Sequence, residues 1–142
     1  VSGDTTAGGL RRLGWALRQE PEVVVVGLGA NDGLRGLPLS ATEGNLREIV
    51  RRAQEAGVRV VLLGMKIPPN YGPDYGVAFE AIYPRLAREL EVPLVPFLLA
   101  GVGGEPRLNL GDGIHPNAEG HERLAENVLP LLRAALGEAA AP

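Results

Sequence analysis

Cysteine is absent from the 142 residues, which excludes disulfides, thiolate metal sites and cysteine nucleophiles at once. The absence leaves the redox compartment open. Lysine is nearly absent too: Lys66 is the one lysine among 14 basic residues, against 17 acidic ones, for a net charge of −3. The basic doublets, Arg11-Arg12 and Arg51-Arg52, sit inside helical patterns with acids nearby. No basic stripe tracks a phosphate backbone, so nucleic acid is not an expected partner. Long apolar runs are also missing. The longest uncharged stretch, Val92 to Gly104, holds Pro93, Pro96 and three glycines. It is shorter than the ~18–20 apolar residues of a membrane span. No basic-then-apolar leader opens the chain. Methionine is down to Met65, and Val1 opens the chain, which predicts that Val1 is not a translation start. What remains, 45% apolar and 22% charged residues, is the composition of a soluble globular domain and not of a disordered tail.

Regular patterns alternate along the chain. Leu10, Leu13 and Leu17 recur at helical spacing and predict a helix over roughly 6–19. Val23 to Leu28 is a β-branched run apolar on both faces, as a central parallel strand should be. Ser40 with Glu43 predicts a capping box, opening a helix through Leu46, Ile49, Val50 and Ala53 that stops at Gly57. Val58 to Leu63 predicts a second strand buried on both faces, and Gly64 to Gly76 a loop. A helix over about 77–91 should bend or break at Pro84. Val92 to Phe97 reads as a short third strand, followed by a glycine-rich loop to Pro116 and a last helix carrying Leu124, Val128, Leu131 and Leu132. This alternation predicts right-handed crossovers and one α/β domain over residues 1–142: a flavodoxin-like, three-layer, doubly wound parallel sheet.

Ligands of such sheets bind beyond the carboxyl ends of the strands. Three segments meet that condition: Gly29-Ala30-Asn31-Asp32-Gly33, Gly64 to Gly72, and Asp112-Gly113-Ile114-His115-Pro116. Topology alone should bring Asn31, Asp112 and His115 to one rim. A carboxylate three residues before an imidazole can accept its Nδ1–H and leave Nε2 as a general base. The same residues also suit a bland reading, Asp112 in a turn and His115 ahead of a helix. A metal reading is short of ligands, with no cysteine and only His121 as a further histidine. Asn31-Asp32-Gly33 is ordinary turn chemistry, or an amide donor to a developing oxyanion. Ser2-Gly3-Asp4-Thr5-Thr6 offers either backbone N–H groups to an anion or an Asp or Thr helix cap.

Taken together, Ser-Gly-Asp-Thr at 2–5, Gly29-Ala30-Asn31-Asp32 and Asp112-Gly113-Ile114-His115-Pro116 resemble, in order, blocks of the SGNH/GDSL hydrolases. Asn31 to Gly36, Ile67 to Gly72, Ala81 to Pro84 and Gly113 to Asn117 resemble the family's thioesterase, lysophospholipase and arylesterase branch. The resemblance covers nearly the whole chain. It implies the SGNH hydrolase fold and a serine esterase mechanism on a small acyl ester or thioester, with no cofactor and no metal. His115 would be general base and then acid, and Asp112 its orienter. Gly3 N–H and the Asn31 amide would be oxyanion donors. Gly33 to Leu39, with Gly33 and Leu34, would form a mobile loop over the acyl site, and Lys66 to Tyr71, with Ile67 and Pro68, its opposite wall. Members of the family are often exported.

The family's nucleophile lies in a Gly-Asp-Ser block upstream of its glycine block. The serines here are Ser2 and Ser40 alone. Ser2 matches the residue before the oxyanion glycine, and Ser40 is read as a helix cap. An incomplete chain is therefore expected, lacking the first strand, first helix and second strand, at least ~30 residues on the size of a βαβ unit. Val23 to Leu28 would then be an unpaired apolar edge, open to the missing segment or to self-association, and the chain alone would be inactive. A serine-less acyl- or glycan-binding relative, or an interaction module with vestigial motifs, are the alternatives.

Overall fold

Valine-rich and leucine-rich runs form the sheet. Its strands are β1 (Val23–Val26), β2 (Arg59–Leu63) and β3 (Leu94–Val95), all parallel, in the spatial order β1-β2-β3. The computed structural model of the chain describes residues 1–137. Val23 pairs with Arg59 and Val26 with Leu62, while Leu62 and Leu63 pair with Leu94 and Val95. Among the described residues five α-helices surround the sheet, with a 3-10 turn at Pro106–Leu108: α1 (Thr6–Leu17), α2 (Ala30–Leu34), α3 (Leu39–Glu55), α4 (Pro73–Leu90) and α5 (Ala118–Ala135). Strands in sequential order joined by right-handed crossovers place α3 and α4 on one face. There α3 packs against both α1 and α4, and α5 packs against all three strands from the other side. Among the described residues, no helix is long and apolar enough to cross a membrane.

The core follows the helical and strand periods. Leu46, Ile49, Val50 and Ala53 of α3 and Phe79, Ile82, Tyr83 and Leu86 of α4 close over Val60 to Leu63 of β2. Burial of each Val, Leu or Phe side chain contributes roughly 1.5–3 kcal/mol. The β2 run is buried on both faces, as its unbroken apolar sequence requires. The β1 run differs from expectation: it ends at Val26, and Val25 is 39% exposed. Among the described residues β1 pairs only with β2, so its other edge is open. There Val24 to Val26, with Val1, Leu13 and Ile49, line a groove of about 290 Å³.

Three local expectations are corrected. The capping box does not form: α3 begins at Leu39 after Pro38, and no side chain caps it. Glu43, its supposed partner, instead accepts a bond of 2.7 Å from Arg85. Ser40 lies inside the first turn, with Pro38 at the cap, and so does not occupy the N-cap position that the box needs. Second, α4 starts at Pro73, earlier than read, because proline at a first helical position needs no N–H partner. It also runs unbroken through Pro84. Third, Asn31-Asp32-Gly33 is no simple turn but lies within α2. With no cap to lose, Ser40→Ala is expected to change stability by less than about 0.5 kcal/mol, whereas a formed box would cost about 1 kcal/mol. Urea denaturation of the two proteins distinguishes them.

Candidate active site

The chain leaves β1 through Gly27 and Leu28 and turns sharply at Gly29, whose φ of +111 favours glycine. The Tyr83 hydroxyl donates to the Leu28 carbonyl at 2.7 Å, and burial pushes its phenol well above the usual range. A Cβ on Gly29 would stand 2.0 Å from that hydroxyl oxygen. The turn delivers α2, a short helix whose first residues are the sequence's candidate donors. Asn31 Nδ2 donates to the Asp4 carbonyl at 3.1 Å, which brings Asn31 to the Gly3-Asp4 segment. Gly3 has φ +71, is exposed, and its carbonyl accepts from Arg35 at 3.1 Å. The Asp4 carboxylate turns the other way and pairs with Arg12, which holds it below its ordinary pKa. Of the two caps considered for α1, Thr5 is the one used: its hydroxyl accepts from Gly8 N–H.

The loop after β2 meets the same helix. Gly33 is buried, and a Cβ there would stand 2.8 Å from Ile67 and 2.9 Å from Phe79. Leu34 and Pro68 are exposed beside this contact. The Tyr71 hydroxyl reaches the Leu34 carbonyl at 3.4 Å, and the Tyr75 hydroxyl donates to the Leu37 carbonyl at 2.6 Å. Two phenols therefore tie the segment expected to be a mobile loop to the entrance of α4.

Asp112 and His115 stand on a third loop whose base is well anchored. Asn109 and Pro116 form an antiparallel bridge, and Leu110 N–H donates to the His115 carbonyl at 2.8 Å. Asn117 caps α5 through Gly120 N–H while its amide donates to the Arg107 carbonyl. Between these anchors Gly113, at φ +70, turns the chain. One Asp112 oxygen accepts from the backbone N–H groups of Ile114 and His115, at 2.9 and 3.0 Å. The other lies 2.7 Å from His115 Nδ1. These bonds, the imidazole's first, hold the Asp112 carboxyl down to about 2.

The sign of that shift sets a pH window. A carboxyl depressed in the folded state contributes stability that is full above its unfolded value of ~3.9 and is lost as pH falls toward about 2. A carboxyl-carbon NMR titration of Asp112 should therefore show its midpoint near 2, and a midpoint near 4 would contradict the bonded geometry. Any acid limb of activity above pH ~4 then belongs to another group.

The structure thus joins Gly3 with Asn31 and Gly33 with Ile67, and joins Asp112 with His115. Among the described residues, no hydrogen bond links the Asp112–His115 pair to the other two groupings. Both members of that pair are exposed. No group of three or more His, Asp or Glu among the described residues is placed to hold a metal ion. Sequence reasoning missed Asp32, which is 2% exposed and accepts bonds from Thr6 and Thr42. Its place in a turn-like Asn-Asp-Gly string hid it, and a signal lay in threonines near the starts of two separate helices.

The parallel sheet with helices around it is the fold of solved SGNH-type hydrolases. The chain belongs to the GDSL-like lipase/acylhydrolase family, whose sequence model matches residues 1–123. It is 47% identical to Esterase TesA of Pseudomonas aeruginosa over 94% of this chain and 67% of that one. To the thioesterase 1/protease 1/lysophospholipase L1 of Escherichia coli it is 44% identical, over 89% of this chain and 61% of the relative. The crystal structure of a psychrotrophic esterase, EstA from Pseudoalteromonas sp., inhibited by monoethylphosphonate, matches with a TM-score of 0.90. Identity there is 34%, covering 96% of this chain and 75% of that one. The chain spans roughly two thirds of the length of these curated relatives.

Proposed function

We propose that the chain contributes the base and the oxyanion donors of a carboxylic-ester hydrolase acting on small acyl esters or thioesters. The observation that carries this reading is the 2.7 Å contact between His115 Nδ1 and Asp112, in a chain of the lipase/acylhydrolase family. That contact directs Nδ1–H to the carboxylate and leaves Nε2 as the basic nitrogen. His115 Nε2 takes the proton of a serine hydroxyl as its oxygen attacks the acyl carbon. The carbonyl electrons move to oxygen, where Gly3 N–H and the second N–H of Asn31 Nδ2 receive the charge. His115 then gives its proton to the leaving alkoxide or thiolate. A water molecule repeats the sequence and frees the acid. Each oxyanion donor supplies ~2.7–4 kcal/mol to the transition state. Gly33, Leu34, Ile67 and Pro68 form the wall along which the acyl group lies.

The serine itself is proposed to come from outside residues 1–142. Ser40 lies in the first turn of α3, Ser2 precedes Gly3, and among the described residues neither hydroxyl bonds to His115. The curated relatives extend beyond the aligned third-shorter stretch, which leaves room for a nucleophile-bearing segment. The open edge of β1 and its apolar groove are the place where that segment would add a strand. Hydrolysis of p-nitrophenyl butyrate tests the reading. The native gene product should turn it over in a His115-dependent way, and the isolated 142-residue chain should not. Turnover by the isolated chain, abolished by His115→Ala, would overturn the external nucleophile.

A further inference from the structure

We propose that Asp32 is the positioning residue of the oxyanion site, an inference that rests on the hydrolase reading above. Asp32 is buried, and so are Thr6 and Thr42 beside it. Among the described residues its carboxylate has no ion-pair partner. It accepts Thr6 N–H at 2.8 Å on one oxygen, and the hydroxyls of Thr6 and Thr42 at 2.6 and 3.2 Å on the other. A carboxylate held only by neutral donors is an expensive group to bury. A mere spacer between α1, α2 and α3 would not need the charge.

What the carboxylate does is fix Thr6 relative to Asn31, its own neighbour in α2. The Thr6 hydroxyl also accepts from Asn45 Nδ2 at 3.1 Å, so its proton is committed to Asp32. The chain Asn45 to Thr6 to Asp32 therefore has one direction. Thr6 starts α1, and the segment Gly3 to Thr5 leads into it. Along that segment the Asp4 carbonyl meets Asn31 and the Gly3 carbonyl meets Arg35. A five-residue helix and its C-cap thus grip residues 3–6 at three points, and the buried one is Asp32. The bond to Asp4 occupies one N–H of Asn31 and fixes its amide plane. The other N–H and Gly3 N–H are the two oxyanion donors, and their separation is set through Asp32.

Asp32 touches no reacting atom, so its loss should act on the transition state and not on substrate capture. In the native gene product, Asp32→Asn should lower kcat for p-nitrophenyl butyrate by about 10–100-fold per folded molecule while KM moves less than about threefold. The rate of fluorophosphonate labelling should fall in parallel. Because Asp32→Asn risks the fold, Thr6→Val is the second probe: it should lower kcat in the same manner, and Thr6→Ser should recover most of the loss. Variants with a lower Tm but unchanged kcat per folded molecule would make Asp32 a purely structural group and overturn the proposal alone. A wild-type protein without His115-dependent hydrolysis would overturn the hydrolase reading and this proposal with it.

Discussion

Replacing His115 by alanine is expected to lower kcat for a p-nitrophenyl ester by about 10⁴-fold or more in the native gene product. That factor corresponds to roughly 5.4 kcal/mol of barrier. The size follows from the chemistry assigned to one nitrogen. In the proposed mechanism Nε2 removes the nucleophile's proton, returns it to the leaving group and then activates water, so three steps would fail together. Alanine leaves Asp112 with its two backbone bonds, and the loop base built on Asn109, Pro116 and Asn117 is untouched. The side chain is also exposed, so the fold should survive the substitution with only the small loss that goes with an exposed ion pair. Kinetics and thermal unfolding measured on one preparation separate the two. A loss of kcat below about tenfold would remove His115 from the mechanism.

Gly29→Ala is expected to have the largest effect on the fold, roughly 2–6 kcal/mol. Two costs add. Placing a side chain at φ +111 costs ~1–3 kcal/mol in backbone strain. The new methyl would also stand 2.0 Å from the Tyr83 hydroxyl oxygen, and overpacking a tight site costs ~1–3 kcal/mol more. Tyr83 cannot swing aside cheaply, because it is 1% exposed, stacks edge-on against Phe79 and bonds the Leu28 carbonyl. Urea unfolding gives the number directly. Tyr83→Phe in the Gly29→Ala background should recover part of the loss by removing the clashing oxygen. A single variant within about 0.5 kcal/mol of wild type would show that the strand-to-helix turn is pliable.

The strands and long helices were legible because their signals are local. The four valines of β1, the run Val60 to Leu63 and the leucine spacing of α1 each carry their own period. The Asp112-x-x-His115 pair was legible for the same reason: three residues and one glycine turn suffice to close it. What escaped depends on partners far away in sequence. Glu43 prefers Arg85, 42 residues on, over its near neighbour Ser40. Asp32 meets Thr6 across 26 residues, and nothing in an Asn-Asp-Gly string says that its carboxylate is buried. β3 is also shorter than the run Val92 to Phe97 predicts: regular pairing covers Leu94 and Val95, and past Pro96 the next bond to the end of β2 runs from Leu98 N–H to the Gly64 carbonyl.

The same division explains what the fold asks of its surroundings. Every buried side-chain polar atom among the described residues has a hydrogen-bond partner. The open edge of β1 and the basic nitrogen of His115 are the two features still waiting for a partner in the proposed mechanism. Both would be satisfied by one segment that adds a strand to β1 and presents a serine at its carboxyl end.

Mapping the adduct of a fluorophosphonate on the native gene product, by digestion and mass spectrometry, puts that account to its most direct test. The expected result is a single modified serine lying outside residues 1–142, whose labelling is lost in the His115→Ala variant. An adduct on Ser2 or Ser40, or no adduct on an otherwise folded protein, would contradict it.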